Sequence, residues 1–293
     1  MKPEIVADPQ CKLGEGPLWH PTEKRIYWTD ILGGRIHWFD PATNRSGIHW
    51  EGGTVGGFTI QEDGALLLFM ERGTVKILRD GKLTTVIEEI AEERDSRFND
   101  VIADPMGRVF CGTMPSKDHL GSLYRLDIDP DTRVGVGGTL TKLLDGIGCS
   151  NGMGFMPDRK QMYYTDSRKR EIYLFDYDQK TGAISNQRVF LRTPDDEGVP
   201  DGMTVDAAGF VWVAKWDGNC LLRFSPDGKE VLRIPFPAKK VSCVTFGGSG
   251  YSDMYITTAG GDNRKVEGEG AGALFRLRIE GVRGAPEFLS RIR

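Results

Sequence analysis

Residues 15–40 carry the sequence EGPLWHPTEKRIYWTDILGGRIHWFD, and residues 151–176 carry NGMGFMPDRKQMYYTDSRKREIYLFD. Both stretches have the same order: a polar residue, a short apolar run, a turn, and then two apolar runs separated by a second turn. Short runs rich in aromatic and β-branched residues, bounded by turn residues, are typical of β-strands. A unit of this kind that recurs along the chain predicts an all-β repeat protein.

The unit occurs six times in the 293 residues. A polar or small residue that opens each copy serves as its marker, and successive markers are 41, 43, 52, 50 and 41 residues apart. Repeats of about 40 to 50 residues with about four short strands are typical of β-propeller blades. We therefore predict a six-bladed β-propeller that forms one domain over residues 1–293. The six markers are Glu15, Gly56, Asn99, Asn151, Asp201 and Ser242.

Loops are expected to account for the two longer intervals. Residues 115–119 and the glycine-rich residues 135–138 lie in the first of them, and residues 193–198 lie in the second. Both chain ends have strand-like sequences, at residues 4–7 and 288–292. We expect one of these ends to complete the outer edge of the last blade, and the sequence leaves open which one.

Composition and charge exclude some partners. Forty-two acidic residues against 38 basic ones give a formal charge of −4, without a clustered basic stripe, so neither nucleic acid nor an anionic membrane is an expected partner. The longest apolar run, residues 65–70, is far shorter than the ~18 residues of a membrane span, and the N-terminus lacks a visible secretory signal. We expect a soluble, cytoplasmic protein. Five scattered cysteines, never in a Cys-x-x-Cys pair, argue against disulfides and against a zinc site built from thiolates.

Four of the six markers carry carboxylate or amide oxygens. The first strand of each propeller blade lines the central channel, so the markers are expected to converge near its axis. Buried carboxylates that face each other destabilise a fold unless a counter-charge is present. For a single residue, backbone hydrogen bonding at a blade junction explains the side chain equally well; four residues at equivalent offsets favour a metal site in the channel. These four are Glu15, Asn99, Asn151 and Asp201.

All-oxygen donors suit one hard divalent cation. Calcium is the first expectation, with magnesium, manganese or zinc as alternatives. Residues 148–152, Gly-Cys-Ser-Asn-Gly, also match the nucleophile-elbow pattern of serine hydrolases. That elbow needs a following helix and a later histidine, whereas all four histidines precede Ser150 and residues 153–157 are not helical in sequence. A catalytic triad in a different chain order stays open.

Five separated segments surround the markers. They are residues 11–17 (CKLGEGP), 97–100 (RFND), 112–114 (GTM), 149–153 (CSNGM) and 199–203 (VPDGM). Together they resemble, in the same order, motifs of the SMP-30/gluconolactonase/luciferin-regenerating-enzyme family, which includes regucalcin. The likeness extends over nearly the whole chain. It implies a six-bladed propeller with one catalytic divalent metal, held by residues matching Glu15, Asn151 and Asp201.

The resemblance also implies a substrate pocket. Asn99 would contact metal-bound water or substrate, and Arg97 with Asp100 would lie in the pocket. Strand alternation places Asp100 on the face opposite Asn99, so Asp100 reaches the substrate only if a bulge reorients it. The loop after Met114 is short and lacks a counterpart of the acidic substrate-contacting residue found in the animal proteins. Sugar preference therefore stays open.

We predict metal-dependent hydrolysis of a sugar-type lactone by attack of water on a polarised carbonyl. Asp201 is the favoured general base and Asp100 the alternate, while Arg97 would hold the hydroxyls or carbonyl of the lactone. Two alternatives stay open: hydrolysis of organophosphate esters at the same metal, and a non-enzymatic calcium-binding or protein-interaction propeller. The oligomeric state does not follow from the sequence.

Overall fold

The computed structural model describes residues 2–128 and 138–292. Within those ranges, 24 strands form six four-stranded antiparallel sheets. We number the sheets as blades 1 to 6, starting from the sheet that contains Glu15.

The strands of each blade run in order from the channel outward. Blade 1 contains β2 (Gly14–His20), β3 (Arg25–Asp30), β4 (Arg35–Asp40) and β5 (Arg45–Glu51). Blade 2 contains β6 (Val55–Ile60), β7 (Leu66–Met70), β8 (Val75–Arg79) and β9 (Lys82–Ile87). Blade 3 contains β10 (Phe98–Ala103), β11 (Val109–Thr113), β12 (Gly121–Ile128) and β13 (Gly138–Ile147). Blade 4 contains β14 (Ser150–Phe155), β15 (Gln161–Asp166), β16 (Glu171–Asp178) and β17 (Ala183–Arg192). Blade 5 contains β18 (Val199–Val205), β19 (Val211–Trp216), β20 (Cys220–Phe224) and β21 (Glu230–Pro235).

Blade 6 combines both ends of the chain. It contains β22 (Val241–Gly247), β23 (Asp253–Thr258), β24 (Leu274–Arg278) and, as its outer strand, β1 (Glu4–Ala7). The N-terminal segment therefore completes the last blade. Three short 3₁₀ turns complete the secondary structure of the described residues: Ala91–Glu93, Ser249–Tyr251 and Arg264–Val266.

The six innermost strands form a closed ring. Each of β2, β6, β10, β14, β18 and β22 contacts the innermost strand of the next blade, and β22 returns to β2. This arrangement confirms the six-bladed propeller. None of the helical segments in the described part of the chain has the length and apolar character required to cross a bilayer.

The C-terminal segment lies against blade 2 instead of extending blade 6. The Ser290 amide donates to the carbonyl of Ile60 at 2.9 Å, and the Ile292 amide donates to Oε1 of Gln61 at 3.1 Å. Because these contacts join residues more than 200 positions apart, this segment ties the end of the chain to the first half of the propeller.

Loops explain only part of the two longer intervals. Residues 115–119 lie between β11 and β12, and residues 193–198 lie between β17 and β18, as predicted. Longer outer strands contribute as well, because β13 and β17 each have ten residues. Of the glycine-rich loop predicted at residues 135–138, only Gly138, the first residue of β13, is among the described residues.

Apolar side chains fill the space between neighbouring blades. Trp212 of blade 5, for example, packs in one cluster with Phe246 and Ile256 of blade 6. Each fully buried large apolar side chain contributes about 1.5–3 kcal/mol to folding. Four of the five cysteines are buried, Cys149 is partly exposed, and all five are free thiols. This packing fixes the inner strands and hence the residues that line the channel.

Candidate active site

Every innermost strand has a register irregularity at its marker. In β10, Phe98 pairs with Thr113 and Val101 pairs with Cys111, so Asn99 and Asp100 together oppose a single residue of β11. Corresponding shifts occur in β2, β6, β14, β18 and β22. A bulge of this kind bends the strand and changes the direction of the side chains in it. Each marker residue therefore lies in or next to a bulge of its inner strand.

Glycines next to the markers let the inner strands approach each other closely. A Cβ atom on Gly152 would lie 2.6 Å from the carbonyl oxygen of Asp201, and one on Gly56 would lie 1.9 Å from that of Phe98. Real Cβ atoms do not tolerate such distances from backbone, so these positions require glycine. Close strands bring the neighbouring marker side chains within hydrogen-bonding distance of each other.

Four markers converge on one pocket of about 390 Å³ at one end of the channel. Glu15, Asn99, Asn151 and Asp201 line it, and each is only 4–5% exposed. The remaining lining residues are Leu13, Arg97, Met114, Cys149, Ser167, Arg168, Val199 and Trp216.

A chain of hydrogen bonds fixes the amides of the pocket. Arg97 Nη1 donates to Oδ1 of Asn99 at 2.6 Å, and Asn99 Nδ2 donates to Oδ1 of Asn151 at 2.7 Å. Asn151 Nδ2 in turn donates to Oγ of Ser167 at 2.7 Å. Ser167 donates to the carbonyl of Pro200 at 2.6 Å. Blades 3, 4 and 5 are thus connected through side chains that face the pocket.

The pocket carries more buried negative charge than it can neutralise. Burial, followed by repulsion from Asp201 and Asp100, raises the pKa of Glu15 well above its usual range. Burial and the charge of Asp100 do the same for the pKa of Asp201. One buried guanidinium, that of Arg97, opposes both shifts, and burial lowers its own pKa. The two carboxylates of the pocket, with the charge of Asp100 near both, face one buried guanidinium, and this arrangement suits an additional cation.

Asp100 is the predicted site residue that does not line this pocket, although its charge acts on Glu15 and Asp201. The predicted bulge at Asp100 is present. Asp100 nevertheless lines a second cavity, of about 410 Å³. That cavity is formed by later residues of the inner strands and by residues 285–288. Burial raises the pKa of Asp100 to about 7. Its contact with substrate stays a prediction.

Several residues that line the pocket are not at the marker position of a repeat. Ser167 follows the end of β15 and holds the amide of Asn151, while Trp216 ends β19 and forms part of the wall. Cys149 also faces the pocket, with Sγ 3.6 Å from Sδ of Met114. Ser167 and Trp216 lie at or beyond the ends of second strands, where the sequence offered no common signal.

Ser150 is placed unlike an elbow nucleophile. It lies in β14 and is fully buried, and its Oγ accepts a hydrogen bond from the Tyr164 hydroxyl at 2.9 Å. The next element is the strand β15 instead of a helix. The Gly-Cys-Ser-Asn-Gly match is therefore a consequence of the bulge at Asn151.

Comparisons with known proteins identify the family of the chain. The family model described as the SMP-30/Gluconolactonase/LRE-like region matches residues 13–260, most of the chain. The chain belongs to this family. The match includes Glu15, Arg97, Asn99, Asn151 and Asp201, and it extends through all six innermost strands.

Relatives in this family carry lactonase and regucalcin names. The chain is 48% identical to the pentonolactonase of Haloferax volcanii over 98% of both chains. It is 35% identical to a putative sugar lactone lactonase of Bacillus subtilis over 94% of both. Among solved structures, a calcium-binding regucalcin from Agrobacterium tumefaciens superimposes with a TM-score of 0.89 at 26% identity, covering all of this chain and 98% of the other.

Proposed function

We propose that this protein hydrolyses a sugar-type lactone in the channel pocket with the help of one divalent cation, calcium in the first instance. The observation that carries the proposal is the convergence of Glu15, Asn151 and Asp201, from blades 1, 4 and 5, in one small pocket. The 48% identity to a pentonolactonase favours lactones of five-carbon sugar acids as the first substrates to test.

The residues present fit a hard cation. Glu15 and Asp201 supply two carboxylates and Asn151 supplies an amide oxygen, and hard divalent ions prefer such ligands. Burial and mutual repulsion raise the pKa of both carboxylates, so a positive ion between them would relieve an unfavourable charge arrangement. When bound, the cation would polarise the lactone carbonyl and balance the negative charge that develops on its oxygen.

The side chains of the pocket have separate tasks. Asp201 accepts the proton of the attacking water, and Asp100 is the alternate base. Arg97 presents a fixed guanidinium, since Nη1 is already bonded to Asn99 Oδ1 and to the carbonyl of Phe98. Its remaining N–H groups are available to the hydroxyls or carbonyl of a lactone. Asn99 bonds to both Arg97 and Asn151 and so fixes the guanidinium that would hold the substrate relative to one of the cation ligands.

The test is a hydrolysis assay on a panel of sugar lactones beside a panel of phosphotriesters. The protein is first treated with a chelator, and calcium, magnesium, manganese and zinc are then added back one at a time. We expect lactone hydrolysis that chelation abolishes and one of these ions restores. Hydrolysis of phosphotriesters alone, or lactone hydrolysis that is unaffected by chelation, would contradict the proposal.

Substitutions assign the roles. Asp201→Asn is expected to lower kcat by about 10²–10⁴-fold, because it removes a proton acceptor and a charged ligand together. Glu15→Gln is expected mainly to weaken cation affinity. Glu171→Gln is the matched control, since Glu171 is a nine-tenths buried carboxylate that pairs with Arg192 outside the pocket. If Asp201→Asn keeps most of its turnover, Asp201 has neither role.

A further inference from the structure

A second group of ligand-type side chains lies outside the channel pocket. A thiol, a carboxylate and an imidazole come together here, with ligand atoms that all lie within 4.8 Å of one another. Their residues are 1%, 4% and 5% exposed, respectively. The three are Cys11, Asp30 and His37.

Three different elements supply these side chains. Cys11 lies in the segment between β1 and β2, Asp30 ends β3, and His37 is in β4. Because β1 belongs to blade 6 and the other strands belong to blade 1, the group lies where the ring closes. We propose that Cys11, Asp30 and His37 form a second metal site, specific for a borderline-soft divalent cation of the zinc type and separate from the channel site.

Blade 4 provides an internal comparison. Asp166 ends β15 and pairs with Ser150, just as Asp30 ends β3 and pairs with Gly14. Both carboxylates accept backbone N–H groups from the segment before the inner strand and from the following turn. The turn therefore requires the aspartate in both blades.

The other two positions differ between the blades. The first position lies three residues before the inner-strand residue that pairs with the aspartate. It is Cys11 in blade 1 and Ile147 in blade 4. The second position lies in the third strand of the blade and pairs with the aromatic residue two before the aspartate. It is His37 in blade 1 and Tyr173 in blade 4. The propeller builds this turn with apolar and aromatic neighbours, so Cys11 and His37 are additions that the turn itself does not need.

The donors of the cluster are available to a cation. Within residues 2–128 and 138–292, no hydrogen bond to a ring nitrogen of His37 is present, and the residue is only 5% exposed. Oδ1 of Asp30 accepts the N–H groups of Leu13 and Gly33, at 2.9 and 3.1 Å, and Oδ2 has no hydrogen-bond partner among the described residues. Trp28 stacks on the His37 ring, with centroids 5.3 Å apart, and holds its orientation.

The cysteine is suited to a metal more than to free reactivity. Burial and the charge of Asp30 raise the pKa of the Cys11 thiol to about 12, so it is protonated when no cation is present. A bound cation would replace that proton, because metal ligation requires the thiolate. The Trp28 side chain opposes this rise in the pKa of Cys11 and would favour the thiolate form. A set of one thiolate, one imidazole and one carboxylate suits zinc or cobalt, whereas calcium requires oxygen ligands.

Cobalt(II) is the probe, because a thiolate ligand gives it a charge-transfer absorption that oxygen and nitrogen ligands do not give. The full-length protein is prepared in two ways: by growth in cobalt-supplemented medium, and by chelation followed by equilibration with Co²⁺. Excess calcium is present in both to occupy the channel site. We expect one thiolate-ligated cobalt per chain, displaced by zinc, in the wild type and in Cys149→Ser. We expect none in Cys11→Ser.

The Cys149→Ser variant is the matched control, since Cys149 is the cysteine that faces the channel pocket. His37→Phe keeps an aromatic ring on Trp28 and removes only the ligand atoms, so it tests the site if Cys11→Ser fails to fold. In the presence of excess calcium, zinc should raise the unfolding temperature of the wild type by several degrees and leave that of His37→Phe unchanged. Absence of the charge-transfer band by both routes, or its loss in Cys149→Ser instead of Cys11→Ser, would overturn the proposal.

Discussion

The side-chain amide of Asn151 is held from two sides. Asn99 donates to its oxygen, and its own NH₂ group donates to Ser167. These two bonds fix which end of the amide carries the oxygen, because the acceptor on one side and the donor on the other cannot be exchanged. An amide that is oriented in advance loses less entropy when it binds a cation.

Removing the Ser167 hydroxyl should therefore weaken the cation site without deleting a ligand. We expect Ser167→Ala to lower cation affinity about 10–100-fold, as is usual when a group that orients a ligand is lost. Calcium titration by calorimetry measures the effect, and kcat at saturating calcium should change much less.

Ser150→Ala is the control for this prediction. The Ser150 hydroxyl, like that of Ser167, is buried and belongs to blade 4. It bonds to Tyr164 instead of Asn151. If both alanine variants weaken calcium binding equally, the effect reflects general loosening of blade 4 and not the orientation of Asn151.

Glu287 gives a pH-dependent prediction. Burial raises its pKa from 4.5 to about 7, and Thr245 opposes the shift only weakly. A carboxyl whose pKa is higher in the folded state stabilises the protein below its ordinary pKa, and this contribution is lost as the pH rises through 7. The free energy of unfolding of Glu287→Gln should therefore exceed that of the wild type by about 1–3 kcal/mol at pH 8. At pH 4 the two should be equally stable.

Denaturant unfolding at both pH values measures this difference. The exposed neighbour Glu280→Gln is the control, for which we expect no pH-dependent difference from the wild type. An equal gain for Glu287→Gln at pH 4 and pH 8 would show that its ionisation is not the cause.

At the scale of single residues, the sequence predicted the pocket side chains that recur at the marker position of the repeat. Glu15, Asn151 and Asp201 recur at the same offset, and the structure places all three in one pocket. Ser167 could not be predicted, because it lies in a turn that has no such marker. Cys11 and His37 could not be grouped either, since the pairing of β3 with β2 and β4 and the path of the segment before β2 bring the residues of that cluster together.

Among the elements, the inner strands combine two properties that are usually opposed. They are continuous enough to hydrogen-bond to the second strand of each blade, and bulged enough to turn the marker side chain toward the channel. Glycine beside the bulge makes this compatible with close packing, as at Gly152 against the carbonyl of Asp201.

Gly152→Ala tests this packing. A Cβ atom there meets backbone at 2.6 Å, which only movement of β18 could relieve, so we expect a loss of about 3 kcal/mol or more. Gly281→Ala is the comparison: its φ of +76° strains an alanine, but its Cβ would meet open space, and a loss of about 1 kcal/mol is expected. Equal losses in unfolding free energy would show that close approach of β14 and β18 does not matter.

Alternation of apolar runs and turns predicted most strands at this scale. The bulges were not predicted as a repeated feature, because a bulge adds one residue to one strand and leaves the apolar pattern almost unchanged. The two longer intervals were attributed to loops alone, so the contribution of the ten-residue outer strands β13 and β17 was not predicted.

For the whole molecule, ring closure depends on the N-terminus. β1 pairs antiparallel with β24, and Glu4 also forms an ion pair with Arg276 across the two strands. The sequence showed that both termini could serve as the closing strand. It could not choose between them, because the choice depends on contacts with residues more than 200 positions away.

Deletion of residues 2–7 should expose the edge of β24 and remove the link between the N-terminal segment and blade 6. We expect a lower unfolding temperature and concentration-dependent aggregation, because an unpaired edge strand recruits other strands. Glu4→Gln removes only an exposed ion pair and should change the stability by less than about 1 kcal/mol. Calorimetry and light scattering measure both variants, and a deletion variant as stable as Glu4→Gln would show that β1 is dispensable.

We propose above all that one divalent cation joins blades 1, 4 and 5 at the channel pocket. Anomalous diffraction from crystals equilibrated with manganese, a cation of the class that suits oxygen ligands, locates such an ion directly. We predict one strong peak bounded by the side-chain oxygens of Glu15, Asn151 and Asp201, absent in crystals of Asp201→Asn. Crystals of active protein without a peak between these three residues would contradict the account.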